Sequence, residues 1–117
     1  MSPQFPCAIE RDLARYQAEI DERDRFETAL EEATHELLRS PEYDYCDPWV
    51  FADLFAAARD AAHPSIARAM DALRRGDGAS LLHHLTVALY ATARDAAREA
   101  ARAQLMRERI EKDYEHL

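Results

Sequence analysis

The last third of the chain constrains the fold most. Residues 80–117 run SLLHHLTVALYATARDAAREAARAQLMRERIEKDYEHL without a Gly or a Pro, and Ala, Leu, Arg and Glu dominate them. These residue types lose least on entering a helix. One helix of that length is roughly 50 Å long at ~1.5 Å per residue, longer than a compact domain of this size is wide. The earlier segments must pack along it, or part of it must project and meet a partner.

The first helical pattern covers about residues 8–39. Ile9, Leu13, Tyr16 and Ile20 are spaced 4, 3, 4, and Phe26, Leu30, Ala33 and Leu37 repeat that spacing. The offset of 17 residues between the sets turns the second apolar face about 100° from the first. A single helix with a gentle bend near the all-charged residues 21–25 accommodates both, since no Gly or Pro interrupts it. Residues 1–7, with two prolines, read as an extended lead-in. Ser40-Pro41 ends the helix, because the residue before proline is pushed out of the α region.

After a connector over residues 40–47, Asp47-Pro48 supplies an N-cap and a proline at the first helical position. The second helix is expected to reach about Ala62, with Val50, Leu54, Phe55 and Ala58 inward. His63-Pro64-Ser65 opens a short third helix, with Ile66, Ala69, Met70 and Leu73 inward. Arg74 and Arg75 suit the negative end of its dipole, and Gly76 suits the position just past its end. Asp77 or Ser80 caps the last helix, whose inward stripe reads Leu82, Leu85, Leu89, Thr92, Ala96, Ala100, Ala103, Met106 and Ile110. The alanines in its middle would let a neighbour approach to the lower end of the usual ~8–10 Å range. There is no period-two alternation and no internal repeat. The expected fold is all-α: a small helical bundle in a single domain, 1–117, with two long helices (about 8–39 and 80–115) and a short helix pair between them.

Charge carries the next constraint. The formal net charge is −8, and it is unevenly placed. Residues 1–47 hold 13 Asp/Glu against 5 Arg, a balance of −8, whereas residues 48–117 balance to 0 with 10 acids against 9 Arg and Lys112. Direct nucleic-acid binding wants a basic face, and the acidic first segment would repel phosphate. Arg94, Arg98 and Arg102 form a stripe on the last helix, but pairing with the acidic first helix is its plainer use. The longest near-apolar run, residues 48–58, is too short to cross a bilayer. The opening residues show neither a basic nor an apolar signal region, so a cytoplasmic location is expected.

Catalytic constellations are weak. Cys46 lies between Tyr45 and Asp47, an acidic setting that disfavours a thiolate, and Cys7 with Cys46 forms no C-x-x-C spacing. Glu32-x-x-His35 and Asp60-x-x-His63 match the Glu-x-x-His element of metal-carboxylate bundles. His63, however, falls at a helix end, and the further inward glutamates of such a site are missing. Adjacent His83 and His84 point about 100° apart, so one should face water and the other pack partly inside. With only two glycines, no phosphate-cradling loop exists. The residues point to no enzyme, cofactor or metal.

The acidic first helix is therefore the candidate site. Asp24, Glu27, Glu31, Glu32 and Glu36 run along one side, continued by Glu42 and Asp44, with Tyr43, Tyr45 and Trp49 as aromatic anchors beside them. The expected function is non-enzymatic protein–protein interaction, with the acidic face docking on a basic, nucleic-acid-binding surface of another protein. This short, acidic, all-helical profile is shared by phage-encoded inhibitors of bacterial defence, including anti-CRISPR proteins. It is also shared by secretion chaperones and adaptors, and a ferritin-like metal-carboxylate bundle is the alternative of another class. Near the end of the last helix, Leu105, Met106, Ile110 and Tyr114 need a cover. Either a second copy supplies it in a homodimer, or the first helix lies antiparallel over the same stripe.

Overall fold

The structure, a computed structural model, describes residues 4–115, with side chains from residue 8 onward. Four helices follow one another: α1 (Gln4–Leu38), α2 (Pro48–Asp60), α3 (Pro64–Arg75) and α4 (Gly78–Glu115), with one 3-10 turn at Pro41–Tyr43. No strand occurs among the described residues, and the fold is the all-α arrangement of two long helices and a short pair. α1 begins earlier than expected, at Gln4 rather than Ala8. Pro6 falls within its first turn, where backbone N–H groups have no helical partner and a proline removes nothing. Residues 4–7 of the expected extended lead-in are thus helical, and residues 1–3 lie outside the described residues. α1 is continuous through residues 21–25.

The termini follow the local chemistry. The Asp47 side chain accepts from the Trp49 and Val50 backbone N–H groups at 2.9 and 3.3 Å, with Pro48 in the first helical position. His63 caps α3, its Nδ1 accepting from the Ser65 N–H at 3.1 Å. Asp77 caps α4, accepting from the Ser80 N–H at 3.1 Å and the Ser80 hydroxyl at 2.9 Å. α3 ends on Gly76 at φ 70°, where Gly76 N–H donates to Leu73 O and Asp77 N–H to Ala72 O. α2 ends the same way on a non-glycine: Ala62 sits at φ 53°, with Ala62 N–H donating to Arg59 O and His63 N–H to Ala58 O.

α4 is the common support, since α1, α2 and α3 each pack on it. The core cluster joins Leu54 of α2 to Leu89 and Ala93 of α4. Leu38, Tyr43, Tyr45, Val50, Phe51, Phe55 and Leu85 pack around it, and the Phe51 and Phe55 rings stack. On α2 the inward set is close to the expected one, with Leu54 and Ala58 buried and Val50 and Phe55 partly covered.

On three helices the buried face differs in phase from the sequence reading. In α3 the buried residues are Ser65, Ala69 and Ala72, while Met70 and Leu73 are exposed. Small side chains seat α3 against α4, and the bulkier pair is turned outward. In α4 the buried residues are Ala88, Leu89, Ala93, Ala97 and Ala101. Leu82, Ala96, Ala100, Ala103, Met106 and Ile110 of the expected stripe are exposed. In α1 the buried pair is Leu30 and Thr34, with Phe26, Ala33 and Leu37 only partly covered. The Thr34 hydroxyl donates to Leu30 O at 2.6 Å, so its burial leaves no polar group unpaired.

The molecule is long. Its extents are 78 × 37 × 21 Å and its radius of gyration is 22.1 Å, against about 13 Å for a compact domain of this length. α1 lies antiparallel to α4, with ion pairs Glu31–Arg94 at 3.4 Å, Glu27–Arg98 at 3.2 Å and Glu22–Arg109 at 3.0 Å. Beyond the last of these, α4 continues for 6 described residues and α1 for 18. The α1 end therefore overhangs by 12 residues, about 18 Å of helix.

Candidate functional site

The expected partner-binding residues occupy the middle and end of α1, the connector and the start of α2, and the structure divides them into three groups. The first is turned toward α4: Glu27 and Glu31 hold Arg98 and Arg94 across the helix pair. This is the pairing expected of the Arg94 and Arg98 stripe, and Arg109 adds a third link to Glu22. Each such pair at partial exposure contributes roughly 0–1 kcal/mol, and together they fix the register of α1 on α4. Glu27 and Glu31 thus add less negative field to the surface than their formal charge suggests.

The second group builds the connector. Asp44 accepts from the Cys46 backbone N–H at 3.0 Å, and Ser40 caps the short turn that follows α1. Tyr43 and Tyr45 are half-buried against the Leu54–Leu89–Ala93 cluster. Their rings belong chiefly to the body of the protein.

The third group faces solvent. Asp24, Glu32, Glu36 and Glu42 are exposed and form no ion pair among the described residues. Trp49 is 82% exposed and opens α2 immediately after the connector. It does not cap the core. A tryptophan held this far into water forfeits about 1.5–3 kcal/mol of burial available to a large apolar side chain. The exposed groups, here called the acidic shoulder, are Glu32 and Glu36 on α1, which share a shallow groove with His35 and Arg39, Glu42 on the connector, and Trp49 at the start of α2.

Between α1 and α4, behind that shoulder, lies a small cavity of about 120 Å³. Glu31, Thr34, His35, Leu38, Tyr90, Arg94 and Arg98 line it. The sequence reading did not find it, because it needs the register of α1 on α4. Its two guanidinium groups already have Glu31 and Glu27 as partners.

Among the described residues, those of the metal-carboxylate alternative form no metal-binding group. Glu32 and His35 share a face of α1, but His63 turns its Nδ1 to the start of α3. No three His, Cys, Asp or Glu side chains are grouped to hold a metal among the described residues. His84 is half-buried and His83 exposed, their rings edge to face at 5.2 Å. Cys46 is an exposed free thiol. No described helix is long and apolar enough to cross a membrane.

The expected self-association residues also separate. Leu105 is half-buried, one turn beyond Ala101 on the face that meets α1, whereas Met106, Ile110 and Tyr114 are 45, 58 and 75% exposed. α1 does lie antiparallel along α4, but it covers Ala97 and Ala101 rather than this stripe. The sequence reading gave Ile9, Leu13 and Tyr16 to an inward face, and they are 58, 61 and 63% exposed. No family model, curated protein or solved structure matches the chain.

Proposed function

We propose that this protein is a non-enzymatic, cytoplasmic protein-binding module that docks through its acidic shoulder on a basic surface of a partner protein. The occupant envisaged is a basic groove of the kind that holds nucleic acid, which would make the protein an inhibitor of that partner, as in phage-encoded anti-defence proteins. The observation that carries the reading is Trp49, a large aromatic 82% exposed at the start of α2, seven residues after the exposed Glu42 on a chain whose carboxylates Glu32, Glu36 and Glu42 form no ion pair among the described residues. Aromatic anchors set in a charged rim are the usual composition of a binding hot spot. The charge balance supports it, since the whole imbalance of −8 lies in residues 1–47. A lopsided field of this kind raises encounter rates with a basic partner and is screened over ~8–10 Å at physiological salt.

The test begins with capture of the partner from the native host and measurement of its affinity at low and high salt. Trp49→Ala should weaken binding by at least ~2 kcal/mol, the range of a hot-spot residue. Reversing Glu32, Glu36 and Glu42 to Lys together should weaken it further and flatten its salt dependence. These three positions are preferable to Glu27 and Glu31, whose reversal would also break the pairs to Arg98 and Arg94. Affinity unchanged in both variants would refute the reading and leave the shoulder as a solubilising surface.

A further inference from the structure

The overhanging end of α1 carries an apolar seam continuous with the one that α4 covers. Ile9, Leu13, Tyr16, Ile20, Arg23, Glu27, Leu30, Thr34 and Leu37 follow one another at spacings of 4 and 3. That is the a/d pattern of a helix packed along a neighbour. Its C-terminal part is buried at Leu30 and Thr34 and reaches α4 through the Glu27–Arg98 pair. Its N-terminal part leaves the described end of α4 near Tyr16 and stays exposed at Ile9, Leu13 and Tyr16.

α4 carries a second, separate apolar stripe at Met106, Ile110 and Tyr114, about 140° or more around the helix from Ala101. The two surfaces are complementary in length and in charge. Ile9 to Tyr16 spans roughly 10 Å of helix and Met106 to Tyr114 roughly 12 Å. The α1 seam is flanked at its e and g positions by Glu10, Asp12 and Glu19. The α4 stripe is flanked by Arg102 and Arg107, with Asp113 opposing them.

We propose that the protein self-associates through these arms, the α1 seam of one copy lying on the Met106–Ile110–Tyr114 stripe of a second copy, and the reverse. A two-fold axis perpendicular to the arms makes both junctions identical and closes the assembly at two copies. α4 of the second copy then occupies α1 where α1 has outrun its own α4. α1 of the second copy covers the outer side of α4. Acidic flanks on both α1 helices disfavour pairing α1 with α1 alone, and the arginines of α4 supply the missing sign. The surface is distinct from the acidic shoulder, so the proposal stands independently of the partner reading.

Sedimentation velocity tests it at tens of micromolar. The wild type is expected to be a dimer, with Leu13→Glu and Ile110→Glu each shifting it to monomer. Both positions are exposed in the single chain, so the folded body should persist, with helicity by circular dichroism falling at most by the share of the α1 overhang. A charge exchange then identifies the pairing. A variant with Glu10→Arg and Asp12→Arg, and another with Arg102→Glu and Arg107→Glu, should each dimerise at least about tenfold more weakly. Mixed one to one, they should form a heterodimer, because both junctions regain opposite charges. A monomeric wild type would overturn the proposal and leave the seam to a helix of another protein. A dimer indifferent to Leu13→Glu, or a mixture that fails to restore association, would overturn it equally.

Discussion

Exchanging the two left-handed residues at the ends of α2 and α3 should move stability in opposite directions. Ala62 and Gly76 occupy equivalent positions, at φ 53° and 70°, with the same pair of backbone hydrogen bonds closing each helix. A residue with a Cβ in that region costs roughly 1–2 kcal/mol. Glycine escapes this cost but gives back about 0.4–1 kcal/mol through its freer unfolded chain. The difference leaves about 0.5–1 kcal/mol in favour of glycine. Ala62→Gly should therefore stabilise by about that amount, and Gly76→Ala should destabilise by about the same. A Cβ at Gly76 would meet no atom within 4 Å beyond the residue itself and its chain neighbours, so the loss would report backbone strain without a clash.

The two sites stand at opposite ends of α3, about 18 Å apart, beyond the ~7–10 Å within which substitutions couple. The double variant should return close to wild type. Urea titration followed by the helical circular dichroism signal, at fixed protein concentration, gives the free energies if the slope is unchanged. Thermal midpoints should shift by a few degrees, at about 4 °C per kcal/mol for a chain of this length. An Ala62→Gly protein less stable than wild type would refute the reasoning, since the left-handed conformation would then carry no excess cost.

Other positions make separate predictions. Leu30 is the largest fully buried side chain, and Leu30→Ala should cost about 2–5 kcal/mol in the same titration. Ala97→Leu places three carbons where α1 meets α4 with no exposure to spare, and should cost about 1–3 kcal/mol by forcing the pair apart. Asp77 is held below the usual carboxylate value of 3.8, first by the Ser80 backbone N–H and then by the Ser80 hydroxyl. Its contribution is thus complete above that value and disappears as the pH falls through the lower folded one. Asp77→Asn keeps an N-cap that does not titrate, so the stability–pH profile of this variant should be flatter at the acid end.

The elements were legible in the sequence because each has a local cause. Asp47-Pro48, Gly76 and Asp77 mark ends through their own backbone chemistry, and the absence of Gly and Pro over residues 80–117 leaves only a long helix. The phase of the buried faces was not legible. α4 has alanines on almost every side, at 88, 91, 93, 96, 97, 100, 101 and 103, so apolar periodicity cannot say which row is covered. Packing of α2 at Ala93 and of α1 at Ala97 and Ala101 selects this row over Ala96, Ala100 and Ala103. On α3 the same demand for closeness favours Ala69 and Ala72, against the rule that the larger apolar residues point inward. Within the candidate site, the connector was legible from Ser40-Pro41 and Asp47-Pro48. The diversion of Glu27 and Glu31 to arginines 71 and 63 positions away was not fixed by any local pattern. The overhang of α1 follows from that same long-range register. Its one signal in the sequence is the 4–3 spacing that continues through Arg23 and Glu27, where two charged residues disguise a single seam as two.

The position of α4 as common support also sets the order in which the molecule comes apart. α1 and α3 each hold to the body through α4, so either can open while the other stays closed, but neither can remain once α4 opens. Amide exchange should accordingly fall into tiers. The slowest protons belong to the middle of α4 around Leu89 and Ala93, which share the core with Leu54. The fastest helical protons belong to the overhang of α1, a stretch too short to be stably helical in water by itself. Covering that overhang would slow its exchange first, and so makes the end of α1 a built-in reporter of whatever comes to lie on it.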